Sequence, residues 1–370
     1  MKAIGVILAG GNNKGRLGQL TENRAAAALP IASSYRAIDF VLSNMSNSGI
    51  GKVAVLTQYN SRSLRDHLTS SKWWDFGRKQ GGLFVFTPYI SSTESNWFRG
   101  TADSIYQNIS YLLRSTEEYV VVTSGDAIYK IDYSKVINQH VESGADITVV
   151  YKKMEDNLRN FGIMEMNEAG RMIGFEEKPE QAKTNCASLG MYVISRTLLI
   201  DLLTQGVPEG KYDWVGDYIC ENKDTLQIYG YEFEGYWSTI STGIIAYYKT
   251  NMDFLKKEVR NPFINEYPYI ETKAKDEPPA KYNVGADVRG SIVGSGTIFN
   301  GVVESSVIFR KVFVGEGASV KHSIIMEGTT IGKGCKIEYA ILDKDVVVSD
   351  GKDVIGTLDY PVVLKKGTVI

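Results

Sequence analysis

MKAIGVILAGG, residues 1–11, decides how the larger part of this chain folds. Ile4 to Leu8 is an unbroken apolar run, the pattern of a strand buried on both faces of a parallel sheet. Gly10 and Gly11 follow at its carboxyl end. Glycine has no Cβ, so the N–H groups of such a loop can approach a phosphate closely. Glycine pairs also occur in strand-to-helix turns for packing alone. The place at the end of the first strand, where α/β sheets take their ligands, favours the binding reading. The continuation, Asn12-Asn13-Lys14-Gly15-Arg16-Leu17, adds a cation able to neutralise a triphosphate.

Outward from this stretch, the first ~250 residues alternate strand-like runs with helical patterns, as a parallel α/β sheet does. Ile4–Leu8, Val53–Leu56, Val120–Val122, Ile147–Tyr151 and Tyr192–Ile194 read as strands, and residues 103–114 and 134–142 have helical spacing. Asp126 follows the apolar run 119–122, where a magnesium ligand would stand. An Asp after a strand is also a common turn-former or helix cap. Glu177 and Lys178, in the segment 175–179 (FEEKP), could accept sugar hydroxyls and neutralise a phosphate. The plain alternative is a solvated charge cluster. Residues 187–190 (ASLG) lead into another strand and could approach a ligand. Trp73, Trp74, Trp97 and Trp237 read as core or loop anchors.

After Tyr282 the pattern changes. Apolar residues recur at a period of six, at Val302, Ile308, Val314 and Val320, and again at Ile325, Ile331 and Ile337. Turn glycines accompany them, as in a parallel β-helix; a set of ordinary hairpins is the bland alternative. The Lys-, Glu- and Pro-rich stretch 256–281 reads as a linker, giving domains 1–255 and 282–370.

A chain of 370 residues with a formal charge of −2 carries no global basic field for nucleic acid or anionic membrane. No apolar run approaches the roughly 20 residues of a membrane span. Cys186, Cys220 and Cys335 are scattered, so reduced thiols in the cytoplasm are expected rather than a disulfide framework. His67, His140 and His322 show no zinc-ligand spacing.

Several long stretches resemble one family: LAGG, 35–50 (YRAIDFVLSNMSNSGI), 56–64 (LTQYNSRSL), 97–108 (WFRGTADSIYQN), 124–133 (SGDAIYKIDY), 161–164 (FGIM), 174–179 (GFEEKP), 187–193 (ASLGMYV) and 340–348 (AILDKDVVV). The chain resembles the glucose-1-phosphate adenylyltransferases, or ADP-glucose pyrophosphorylases, of bacterial glycogen synthesis. The resemblance implies an α/β fold: an N-terminal Rossmann-like nucleotidyltransferase domain and a C-terminal left-handed parallel β-helix of hexapeptide repeats. It implies the family reaction, ATP plus glucose 1-phosphate giving ADP-glucose plus pyrophosphate with Mg²⁺. At matching positions it points to Asp126 as a metal carboxylate and catalytic group, with Arg16 in the altered loop as a catalytic cation. It points to Gly10, Gly11, Gln58 and Gly100 as substrate-binding residues, and to Gly162, Glu177, Lys178 and Ser188 on the sugar-phosphate side.

The departures carry as much weight. The family's G-x-G-T-R-L loop is here GGNNKGRL, one residue longer and without the Thr-Arg pair. Where active members read R-A-K-P-A, residues 24–28 read RAAAA, so Ala26 and Ala27 replace Lys and Pro. Where they read W-R-D-V-G-T, residues 237–242 read WSTIST, so Ser238 replaces Arg and Thr239 replaces the second metal-binding Asp. Phe98 stands where Tyr is usual. A hydroxyl does not replace a carboxylate at Mg²⁺. The pattern looks like the GlgD-type subunit, which assembles with a catalytic GlgC-type paralogue and tunes its activity. The expectation is therefore a catalytically weak or inactive regulatory subunit in a mixed tetramer, still able to bind glucose 1-phosphate, ATP or ADP-glucose. Residues 83–90 (LFVFTPYI) read as either a subunit contact or a core strand. The alternatives are an active adenylyltransferase using Asp126 alone, or a β-helix acyltransferase with His322 as its histidine.

Overall fold

The strand Ala3–Leu8 runs through the middle of the main sheet in a computed structural model that describes residues 2–77, 81–89, 97–156 and 158–370. It pairs in parallel with Lys52–Leu56 on one side and with Tyr119–Ser124 on the other. Gly82–Phe86 extends the first side in parallel. On the second side Cys186–Ser195 pairs antiparallel with Tyr119–Ser124 and with Ile147–Lys153. Among the described residues the sheet has nine strands. Its central strands are apolar in the middle because helices cover both faces there: Ile4, Ile7, Val120, Val121 and Val122 have essentially no exposure. The helical pattern at 103–114 is broken into Thr101–Tyr106 and Ile109–Leu113. The Asn108 amide between them bonds the Ser104 carbonyl at 2.9 Å.

Residues 83–86 are the sheet's edge strand, where Phe84, 38% exposed, packs against Tyr111 at a centroid distance of 5.6 Å. Ile90, the last residue of the 83–90 segment, lies outside the described residues.

Beyond residue 280 short parallel strands stack into three five-stranded sheets, a left-handed β-helix. Successive coils bring Val303, Val320, Ile337 and Val354 into register, seventeen residues apart. The inward ladder therefore advances in steps of five, six and six. A strict period of six is off by one at its first position: Val303 is fully buried, and Val302 is 38% exposed. His322 stacks on Tyr339, one coil away, at 5.0 Å, and its carbonyl accepts the Tyr248 hydroxyl at 2.6 Å. It is a stacking residue at a domain contact.

The two domains share a core. The outward side chains Val307, Ile324 and Ile341 of one β-helix sheet pack with Leu17, Leu29, Phe40, Phe254 and Phe263. Arg24 forms a buried ion pair with Asp343 at 2.7 Å. The stretch 256–281 contains the helix Lys257–Ile264 and buries Phe263 and Ile270. The Glu271 carbonyl accepts the Trp74 indole N–H at 3.1 Å. Its charged composition hides two apolar anchors that fasten it down. No helix among the described residues is long and apolar enough to cross a membrane.

Candidate functional site

Two loops meet at the carboxyl end of the central strands. Residues 9–11 leave Ala3–Leu8, and Gly125-Asp126 leave Tyr119–Ser124. The Gly125 N–H bonds the Leu8 carbonyl at 2.9 Å. A Cβ on Gly125 would lie 3.2 Å from Ala9, Ile38 and Ile7, so the close approach of these loops favours glycine there.

One cleft of about 500 Å³ opens above this junction, lined by Gly10, Gly11, Ala26, Ala27, Gln58, Gly100 and Asp126. Gln58 is held as a bracket: its Oε1 accepts the Phe98 N–H at 3.0 Å, and its Nε2 donates to the Phe98 carbonyl at 3.4 Å. At Gly100 a Cβ would sit 2.2 Å from the Tyr212 carbonyl, so the backbone there cannot carry a side chain without shifting. At Gly11 only the Asn13 side chain comes within 4 Å, so packing does not demand glycine. The open backbone suits a ligand that must approach closely.

A second cleft of about 220 Å³ shares Ser124, Asp126, Gly190 and Tyr192 with the first and is lined by Arg16, Gly162, Glu177, Lys178 and Ser188. A Cβ on Gly162 would lie 2.2 Å from the Phe175 ring and 2.9 Å from Glu177 Oε2. Lys178 pairs with Glu177, and both are about half exposed. Lys178 takes a left-handed backbone, φ 49°, and its N–H bonds the Phe161 carbonyl at 3.0 Å.

Each candidate residue read from the sequence thus lines one cleft or the other, and Asp126 lines both. Burial raises the Asp126 pKa; hydrogen bonds from Ser124 and Ser241 and the charge of Arg16 oppose it without cancelling it. The Ser124 hydroxyl donates to Asp126 Oδ1 at 2.5 Å.

The strand Trp237–Thr239 runs antiparallel to Ala127–Tyr129, with Thr239 opposite Ala127. The Ile240 N–H bonds the Asp126 carbonyl at 3.2 Å, which sets Thr239 directly beside Asp126. Thr239 Oγ1 lies 3.1 Å from Ser241 Oγ, and Ser238 Oγ 2.7 Å from Thr250 Oγ1. Hydroxyls, not a second carboxylate, therefore surround Asp126. Among the described residues no group of three or more His, Cys, Asp or Glu could hold a metal. This donor set does not fit a resident magnesium ion held by two carboxylates. Ala26 and Ala27, nearly fully buried, form a short helical turn in the wall of the first cleft and bring no charge to it.

Sequence reasoning missed three features of the first cleft. Tyr59 and Trp97 stack at its mouth, centroids 5.5 Å apart and planes within 5°. Arg99 lies over the Tyr212 ring at 4.0 Å and bonds the buried Asp103 at 2.6 Å. Asp213 also lines the cleft, while its Oδ1 caps the N–H groups of Val215 and Gly216. The contacts of Tyr59 with Trp97, and of Arg99 with Tyr212, join positions far apart in sequence, so no local pattern signals them.

Known proteins match along most of the chain. The family model described as nucleotidyl transferase matches residues 4–257, and that described as GlmU-like, C-terminal hexapeptide matches residues 278–359. A glucose-1-phosphate adenylyltransferase of Halalkalibacterium halodurans is 40% identical over 323 residues, 86% of this chain and 83% of the relative. Those of Bacillus mycoides and Bacillus anthracis are each 38% identical, over 86% of this chain and 85% of theirs. With this identity running through both the sheet domain and the β-helix, the chain belongs to the glucose-1-phosphate adenylyltransferase family.

Proposed function

We propose that this chain is a catalytically weak or inactive member of its family. In this reading it binds glucose 1-phosphate or ADP-glucose and regulates a catalytic GlgC-type paralogue within a mixed tetramer. The observation that carries the proposal is Thr239 beside Asp126, where a second carboxylate would complete the metal centre. Adenylyl transfer depends on positioning and on stabilising charge at the phosphates. A hydroxyl supplies neither the charge nor the metal affinity of a carboxylate. Ala26 and Ala27 add no cation on the nucleotide side. The sugar side, by contrast, keeps Arg16, Glu177 and Lys178 around one space.

Regulation of a partner requires contacts that differ between the partner's states. The edge strand Gly82–Phe86 and the outer β-helix sheets offer surfaces for such contacts.

The test is ADP-glucose formation by this chain alone, by a catalytic paralogue alone and by the two together, with co-expression and size-exclusion chromatography. The chain alone is expected to turn over far below the typical enzyme rate of about 10 s⁻¹, and the pair to co-elute with altered kinetics. Separate elution with unchanged partner kinetics would sink the regulatory role. Normal turnover by the chain alone would favour an active enzyme in which Asp126 and nucleotide phosphates together hold magnesium.

A further inference from the structure

A third space lies behind the sugar-phosphate cleft. This groove of about 700 Å³ runs between the segment 237–249 and a loop of the β-helix. The two spaces share Asn160, Phe161, Trp237, Thr239 and Thr242, so they are contiguous. The loop is an insertion. Ile324 and Ile341 are paired seventeen residues apart, as elsewhere in the later coils, but Ala340 pairs with Val362, twenty-two residues on. The extra residues fold into a tight turn in which Thr357 and Tyr360 exchange backbone hydrogen bonds at 3.2 Å. The turn places Asp359 and Tyr360 in the groove wall, with Tyr360 80% exposed. The exposed Tyr360 ring faces the rim of the groove, available to a ligand.

We propose that this groove binds a neutral oligosaccharide, with a terminal sugar at the wall shared with the sugar-phosphate cleft. The proposal rests in part on reading that neighbouring cleft as a sugar site. Trp237 and Tyr360 offer flat apolar faces for the C–H surfaces of sugar rings. Asn160, Thr242 and Asp359 offer the donors and acceptors that ring hydroxyls need. The lining charge favours a neutral chain over a phosphorylated one: Asp156 and Asp359 outnumber Lys249, and Asp253 is paired with Lys256 at 2.8 Å. The neighbouring cleft is balanced instead, with Arg16 and Lys178 set against Asp126 and Glu177. Ser238 and Thr239 leave the dividing wall uncharged, so a neutral ligand meets no ionic barrier in passing along it. The volume lies in the usual range for small-molecule sites, roughly 300–1,000 Å³.

Isothermal titration with maltotetraose tests the proposal on the full chain, with glucose 1-phosphate titrated separately. The wild type is expected to bind maltotetraose. Tyr360→Ala is expected to weaken that binding about tenfold and to leave glucose 1-phosphate binding unchanged. Tyr360→Phe, which keeps the stacking face, is expected to restore maltotetraose binding. No maltotetraose binding by the wild type, equal binding by Tyr360→Ala, or equal loss in Tyr360→Phe and Tyr360→Ala would each overturn it. Failure of glucose 1-phosphate to bind would count against the regulatory reading instead, and is read in its own titration.

Discussion

The cleft around Gly10 and Gln58 and the cleft around Glu177 and Lys178, the nucleotide and sugar halves of the proposed function, hang from the same sheet and share Asp126, yet they differ in what they offer a ligand. The nucleotide half has its glycines at 10, 11 and 100 and the Gln58 bracket, while Ala26 and Ala27 form an uncharged wall. The sugar half has Arg16, Glu177 and Lys178 together. Shape set by backbone is present in both halves; both also hold charged groups, Arg99 and Asp213 in one and Arg16, Glu177 and Lys178 in the other, but Ala26 and Thr239 carry none. Backbone shape is fixed by many residues packing together, whereas a charge resides on one side chain and disappears with one substitution. A cleft can therefore keep the form of a binding site with the electrostatics of transfer removed from one side of it.

Restoring charge at Ala26 in the first cleft and at Thr239 in the second is the strongest way to break this contrast. The double variant Thr239→Asp, Ala26→Lys should raise ADP-glucose formation by the chain alone about 10²–10³-fold, the usual scale for one charge-stabilising group. Pyrophosphate release is the readout, and no increase would place the deficit elsewhere.

Next in size, Lys178→Ala should raise the dissociation constant for glucose 1-phosphate by about 10–100-fold, since a hydrogen bond to a charged group contributes roughly 1.5–3 kcal/mol. Calorimetry giving an unchanged constant would remove Lys178 from the sugar half.

The glycines sharpen the comparison at lower energy. Gly162→Ala must displace the Phe175 ring and Glu177, at about 1–3 kcal/mol by chemical denaturation. Gly11→Ala meets only a surface side chain and should change stability by less than about 0.5 kcal/mol. Equal losses in the two variants would contradict the difference in their surroundings.

A further effect lies outside both halves. Burial lowers the His140 pKa from 6.5 to about 4, against the raising influence of Asp146. The unfolded chain therefore binds the proton first as pH falls, and stability declines between about 6.5 and 4. Melting temperatures measured across that window should fall with pH, and His140→Gln should flatten the trend. An unchanged trend would assign it to other groups.

Much of this was legible in the sequence. The buried strand before Gly10 and the carboxylate after the strand ending at Ser124 are local patterns that the structure places as read; the hexapeptide repeat is there too, with its first inward position at Val303 instead of Val302. The substitutions at Ala26, Ser238 and Thr239 were visible as departures from the family's motifs. Their consequence was less visible. Thr239 stands beside Asp126 only because strand 237–239 pairs with strand 127–129.

Local sequence was enough to give the strand runs, the existence of a coiled repeat, the glycine loop and the chemical types at each motif, because these depend on neighbours a few positions apart. The tertiary structure alone decided that Val303 rather than Val302 faces inward, since the coil advances by seventeen residues and not by a multiple of six. It alone decided that residues 256–281 pack down through Phe263 and Ile270, that Arg24 is buried against Asp343, and that Tyr59 lies on Trp97. These contacts join residues tens to hundreds of positions apart. Which distant groups meet is set by how whole layers pack against one another, and no window of sequence carries that information.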